Sequence, residues 1–82
     1  MKNELKWYNT EYIKGDTTIQ PVIVNDDTLL FTLLDGRGYH YLFTAIIDLM
    51  EYLNGGERTY TAVFETEREL INFLMNWSNN IV

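Results

Sequence analysis

The chain has 82 residues, a mass of 9.7 kDa, twelve acidic against six basic side chains, and a formal net charge of -6. It contains no cysteine and one histidine, which excludes a disulfide framework, a thiolate zinc site, a multi-histidine metal site and a cysteine nucleophile. The acidic balance opposes direct binding to nucleic acid or to anionic membranes, both of which need Lys and Arg against phosphate.

A folded chain of this mass exposes roughly 5,100 Å² and buries about 64% of its unfolded surface, enough for one modest core. The apolar runs Leu29–Phe31 and Ala45–Ile47 fall far short of the ~20 residues a membrane span needs. Met1–Lys6 has no apolar stretch of the signal-peptide kind. No repeat, low-complexity tract or linker interrupts the chain. These features predict a single domain over 1–82, located in the cytoplasm.

In chain order, Leu5–Ile13, with Trp7, Tyr8 and Tyr12, predicts a strand, and Lys14-Gly15-Asp16 a turn. Thr17–Val24 is β-branched and predicts a second strand; Pro21 lacks a backbone donor and places it at an edge or a bulge. Asn25-Asp26-Asp27 predicts a hairpin loop. Thr28–Leu34 is apolar on both faces, which predicts a central strand covered on both sides. Asp35-Gly36-Arg37-Gly38 then turns the chain into a fourth strand, Tyr39–Phe43, with Tyr39, Tyr41 and Phe43 on one face. The alternative is a helix starting near Gly38.

Thr44 is the expected N-cap of a helix running to about Asn54, which Gly55-Gly56 terminates. Arg58–Phe64 predicts a fifth strand. Thr66–Glu69 forms a capping box: the Thr66 hydroxyl accepts from the Glu69 amide while the Glu69 carboxylate reaches back to the Thr66 amide. The helix it opens runs to about Ser78. The order β-β-β-β-α-β-α predicts an α+β domain, a mostly antiparallel sheet of four to five strands carrying two helices on one face.

The two helices differ. Leu70, Phe73, Leu74 and Trp77 make an ordinary stripe at i, i+3, i+4, i+7, the pattern of a helix packed on a sheet. On the first helix, Leu42 (if helical), Ala45, Ile46, Leu49 and Leu53 fill one arc, and Phe43, Ile47 and Met50 extend it to roughly 200°, about twice what covering a sheet requires. Phe43, Ile47 and Met50 are therefore candidates for an oligomer seam.

Tests for chemistry return little. His40 is the only neutral-pH base, and no spacing supports a triad around it. No cofactor, metal or catalytic residue is assigned, and an enzyme is not expected. Asp35-Gly36-Arg37-Gly38 lacks the ending of a phosphate loop. The remaining signal is acidic. Asp26, Asp27, Asp48, Glu51, Glu65, Glu67 and Glu69, with Tyr39 and Tyr41, are the candidate partner-binding residues.

The expected function is a non-enzymatic acidic protein-binding module. It would act as an inhibitor of the phage-encoded anti-defence type, anti-CRISPR proteins included, blocking a basic nucleic-acid-binding protein in the manner of a DNA mimic. The alternative is a structural domain that forms a homodimer through the 44–54 helix. Mimicry needs carboxylates in rows. Residues 45–82 hold six acids and two bases (-4) and residues 1–44 six and four (-2), a slight bias only. Glu67 and Glu69 stand about 160° apart on their helix and form no stripe.

Overall fold

The fold was examined in a computed structural model, which describes residues 3–8, 12–56 and 59–77. Strands β1 (Leu5–Trp7), β2 (Tyr12–Lys14), β3 (Thr17–Val24), β4 (Thr28–Leu34) and β5 (His40–Phe43) precede helix α1 (Ile46–Leu53). Strand β6 (Ala62–Phe64) and helix α2 (Glu67–Met75) follow. All pairings are antiparallel, in the order β1-β3-β4-β5-β6, with β2 also on β3. β1 pairs with Val22–Val24 and β2 with Thr17–Ile19, so both occupy one position beside β3. The result is an α+β fold with five strand positions and two helices, as the sequence predicts.

The predicted first strand is thus broken in two, and Pro21 accounts for where. The Tyr8 N–H donates to the Pro21 carbonyl at 3.2 Å, so the donorless nitrogen of Pro21 faces the side on which β1 stops after Trp7 and β2 begins only at Tyr12. The Gln20 side chain donates to the Tyr8 carbonyl at 2.8 Å across the same break. β3 is therefore neither an edge strand nor bulged, as Pro21 suggested; its neighbour is interrupted instead.

The β3–β4 turn is a three-residue loop, Asn25–Asp27, between the paired Val24 and Thr28. Asn25 and Asp26 both take positive φ (56° and 62°), the geometry that matches strand twist and that Asn and Asp tolerate best. At the other end of β4, a side chain on Gly36 would stand 2.8 Å from the Asp16 Cβ. Only glycine lets the β2–β3 and β4–β5 loops close on each other there.

Alternation along the central strands separates two cores. Val22, Val24, Leu30 and Leu42 point to one side and are buried under Leu70, Leu74 and Trp77, with Phe64, Phe73, Leu5 and Trp7 around them. Ile19, Leu33, Tyr41 and Phe43 point to the other and meet Leu49 of α1, with Phe31, Tyr39, Tyr52 and Tyr60. β4 lies in the middle of the sheet and contributes to both cores, as its two apolar faces predict. The helices therefore lie on opposite faces, not on one as expected. The reason is parity in β5: Tyr41 and Phe43 face α1 while Leu42, between them, faces α2.

Helix boundaries follow the chemistry with two corrections. α1 begins one residue later than predicted, behind Ala45, with no side-chain cap. Thr44 instead sits 3.4 Å from the Thr61 hydroxyl. Gly55 (φ 93°) ends α1 as expected. Thr66 caps α2 by accepting from the Glu69 amide at 3.2 Å, but its hydroxyl also donates to the Glu69 carboxylate, where a reciprocal bond to the Thr66 amide was predicted. Ser78, the predicted end of α2, lies outside the described residues, as does Arg58 at the predicted start of the shortened fifth strand. No helix among the described residues is long and apolar enough to cross a membrane.

Candidate functional site

The candidate carboxylates fall in three separate places. Asp26 and Asp27 occupy the β3–β4 turn, where Asp26 meets Lys6 at 3.1 Å and Asp27 accepts from the Thr28 hydroxyl at 2.9 Å. Glu65, Glu67 and Glu69 surround the start of α2, next to Phe64, which pairs with His40 at the opposite end of the sheet. The seven residues of β4 separate those ends, a span of about 24 Å at strand rise. Asp48 and Glu51 lie on α1, across the sheet from α2. No single row of carboxylates results.

Tyr41 is corrected outright. It is 5% exposed and packs against Tyr52 and Tyr60, with ring centroids 5.2 and 5.1 Å away. Its hydroxyl donates to Asp35 at 3.0 Å and accepts from Arg37 at 3.2 Å. Burial above all, then its neighbours Tyr52 and Asp35, push its proton loss up to about 12. Burial works to raise the Asp35 carboxyl. The Tyr39 amide, the Tyr41 hydroxyl and the Arg37 amide and guanidinium outweigh that together and hold it below the ordinary carboxylate range. These contacts fix the β4–β5 loop. Tyr39 is half-buried, with the Arg37 guanidinium 5.1 Å from its ring.

Phe43 is the second correction. It was a candidate for the oligomer seam, but it lies in β5, not on the helix, and is completely buried against Leu49 and Tyr52. Ile47 and Met50 are where a seam requires them, 65% and 55% exposed.

His40 is half-buried at a cleft of 160 Å³ with Trp7, Thr18, Gln20, Thr32, Leu34, Glu67 and Leu70. That volume is below the usual range for organic ligands. Among the described residues no cluster of three or more His, Asp or Glu side chains is placed to hold a metal ion.

A larger concavity lies on the other face. α1 seats itself with Leu49, its one fully buried residue, and with Tyr52 against Phe43 and Tyr41 of β5. It shares a buried cluster with Ile19 of β3 and Leu33 of β4 but leaves part of those strands exposed, Leu29 included. Between them lies a groove of 540 Å³ lined by Tyr8, Ile19, Pro21, Phe31, Ile46, Leu49, Met50 and Leu53. Among the described residues the lining is uncharged, and its one polar side chain is Tyr8. Ile46 is 57% exposed and Leu29 of β4 44%. Tyr8, Leu29, Ile46, Ile47, Met50 and Leu53 are all exposed.

The sequence reading placed Ile46, Leu49 and Leu53 on the sheet-facing arc and did not join Tyr8, Pro21 and Phe31 to them. The signal was present: a strand apolar on both faces needs two covers, and an eight-residue helix is a narrow one. No protein-family model matches the chain, and no curated protein or solved structure is significantly similar to it.

Proposed function

We propose that the chain is a non-enzymatic protein-binding module that covers part of a partner with a basic surface, and that its contact surface is the apolar groove between α1 and the open strands β3 and β4. The observation that carries this is the groove itself: among the described residues its lining is uncharged, with Ile46 and Met50 exposed on it and Ile47 exposed on the same helix. Apolar contact supplies affinity there, and the net charge of -6 steers a cationic partner and raises its on-rate. Inhibition would follow from occlusion. The separation of the carboxylates argues against imitation of a DNA strand.

The alternative homodimer draws on the same Ile47 and Met50. It brings two chains of charge -6 together and is therefore favoured only as salt rises, whereas a basic partner is lost as salt rises. Affinity capture with wild-type protein and two variants tests the proposal. A partner held by wild type and by Ile13→Asp, on an edge strand away from the groove, and lost with Met50→Asp supports it. Equal capture by Met50→Asp overturns it.

A further inference from the structure

We propose that Asn54 is a site of spontaneous covalent modification: in the folded chain its side-chain amide converts to a carboxylate through a cyclic imide formed with the backbone nitrogen of Gly55. The reaction needs an amide carbon open to attack, a following residue with no side chain to crowd the approach, and a backbone able to bring the two together. The end of α1 supplies all three.

Asn54 is exposed, and among the described residues nothing bonds its side chain. Gly55 follows at φ 93°, and a Cβ added to it would meet nothing within 4 Å, so no neighbour walls in the turn. Two hydrogen bonds in the Schellman arrangement hold it: the Gly55 N–H donates to the Tyr52 carbonyl at 3.1 Å and the Gly56 N–H to the Glu51 carbonyl at 2.8 Å. They close the last turn of an eight-residue helix, and helix ends open at little free-energy cost. Opening frees the Gly55 nitrogen and lets the Asn54 backbone leave its ψ of 13°.

Elsewhere the fold withholds the same chemistry. Asn3 donates to the Leu74 carbonyl at 3.0 Å, Asn25 donates to Asn3 at 2.9 Å and accepts from the Glu4 amide at 2.8 Å, and Asn76 donates to the Asn72 carbonyl at 2.8 Å. Asn72 lies inside α2 and is followed by the bulky Phe73. Asp35-Gly36 is the nearest rival, where cyclisation would start from a protonated carboxyl and expel water. The Asp35 oxygens instead accept from the Arg37 and Tyr39 amides, the Tyr41 hydroxyl and the Arg37 guanidinium, which hold the carboxylate ionised and in place.

Water is the only co-reactant. The Gly55 nitrogen gives its proton to solvent and bonds to the Asn54 Cγ; the Cγ–Nδ2 bond breaks and ammonia leaves. Water then opens the imide. Cleavage between nitrogen and Cγ returns an ordinary aspartyl link, and cleavage between nitrogen and the backbone carbonyl carbon leaves an isoaspartyl link running through Cβ and Cγ. Either product adds a negative charge at the C-terminal end of α1, where the helix dipole opposes it. The isoaspartyl link also lengthens the backbone inside a turn with little slack, since a Cβ on Gly56 would stand 2.7 Å from the Glu51 carbonyl oxygen. Modification therefore loosens the end of α1.

Ageing the native chain at physiological temperature in neutral and mildly alkaline buffer, followed by intact mass and peptide mapping, tests this. Conversion at Asn54 is expected at least tenfold faster than at Asn3, Asn25, Asn72 or Asn76, with both aspartyl and isoaspartyl products and a higher rate in the alkaline buffer. Asn54→Gln, which keeps an amide but closes no five-membered ring, should lose it, circular dichroism confirming that the variant folds. Asp35 should form an isoaspartyl link only after unfolding in urea. The converted fraction, separated by anion exchange, should unfold at lower denaturant than fresh protein; equal midpoints overturn the loosening of α1. No conversion of the native chain, whether or not the urea-unfolded chain converts, overturns the proposal, as does earlier conversion at Asn3, Asn25, Asn72 or Asn76. An aspartyl product alone overturns the cyclic imide, and isoaspartyl formation at Asp35 in the native chain at the Asn54 rate overturns the selection by the fold.

Discussion

Beneath α2, Val22, Val24, Leu30 and Leu42 are closed off by Leu70, Leu74 and Trp77. Beneath α1, Leu33 and Phe43 are as deeply buried, yet Leu29, Ile46 and Met50 on the same face remain open. The two faces are built from similar apolar residues, so composition does not separate them. Cover does. α2 brings Leu70 and Leu74 down along one stripe, Trp77 follows just past its end, and β1 and β6 close the flanks with Leu5, Trp7 and Phe64. α1 brings Leu49 and Tyr52 down at one side and turns the rest of its apolar surface away from the core. A face can thus be fully folded at one strand and adhesive two strands away, and substitutions should divide along that line.

The largest effect expected is Phe43→Ala, which should cost about 4 kcal/mol in chemical denaturation, because a fully buried ring leaves a cavity that its neighbours cannot fill. A cost near zero would return Phe43 to the surface role that the sequence suggested. Leu74→Ala, its counterpart under α2, should cost about 3 kcal/mol. Comparable losses on the two faces would show that the α1 face is a real core where it is covered.

Asp35→Asn should cost about 2 kcal/mol at neutral pH, because it weakens hydrogen bonds to a charged acceptor. The Asp35 carboxyl is held below its unfolded value, so its contribution is complete above that unfolded value, near 4, and is lost as pH falls through the folded one. Denaturation of both proteins between about pH 6 and pH 2 should show the gap narrowing on the acid side; a gap that widens there contradicts the assignment. Thr66→Ala should cost about 1 kcal/mol through the lost cap of α2. Met50→Gln should change stability by less than about 0.5 kcal/mol, since its side chain is largely in solvent. A larger loss would make Met50 part of the core and weaken the case for an open groove.

Much of the fold was legible because local chemistry decided it. β-branched alternation and the Asn25–Asp27 turn set both ends of Thr17–Val24 and Thr28–Leu34 as predicted. Gly55 and Thr66 marked a helix end and a helix start. What was not legible depended on long-range pairing. Tyr41, Leu42 and Phe43 are all apolar, so their order does not say which helix each will meet, and the expected single helical layer was wrong. The same ambiguity misplaced Tyr41 and Phe43 on the surface. The groove was half visible: the wide apolar arc of the first helix pointed to it, but its floor, Pro21 and Phe31, is assembled only when β3 and β4 pair. The acidic candidates could be named one by one, and only the topology revealed that the β3–β4 turn and the start of α2 stand at opposite ends of the sheet.

Amide chemical-shift mapping of the chain titrated with the partner isolated by affinity capture tests the central claim most directly. The groove predicts changes concentrated at Tyr8, Phe31 and residues 46–53, with little change at His40 or at Glu65–Glu69. Changes concentrated around His40, Glu67 and the start of α2, with Ile46–Leu53 unmoved, would contradict it.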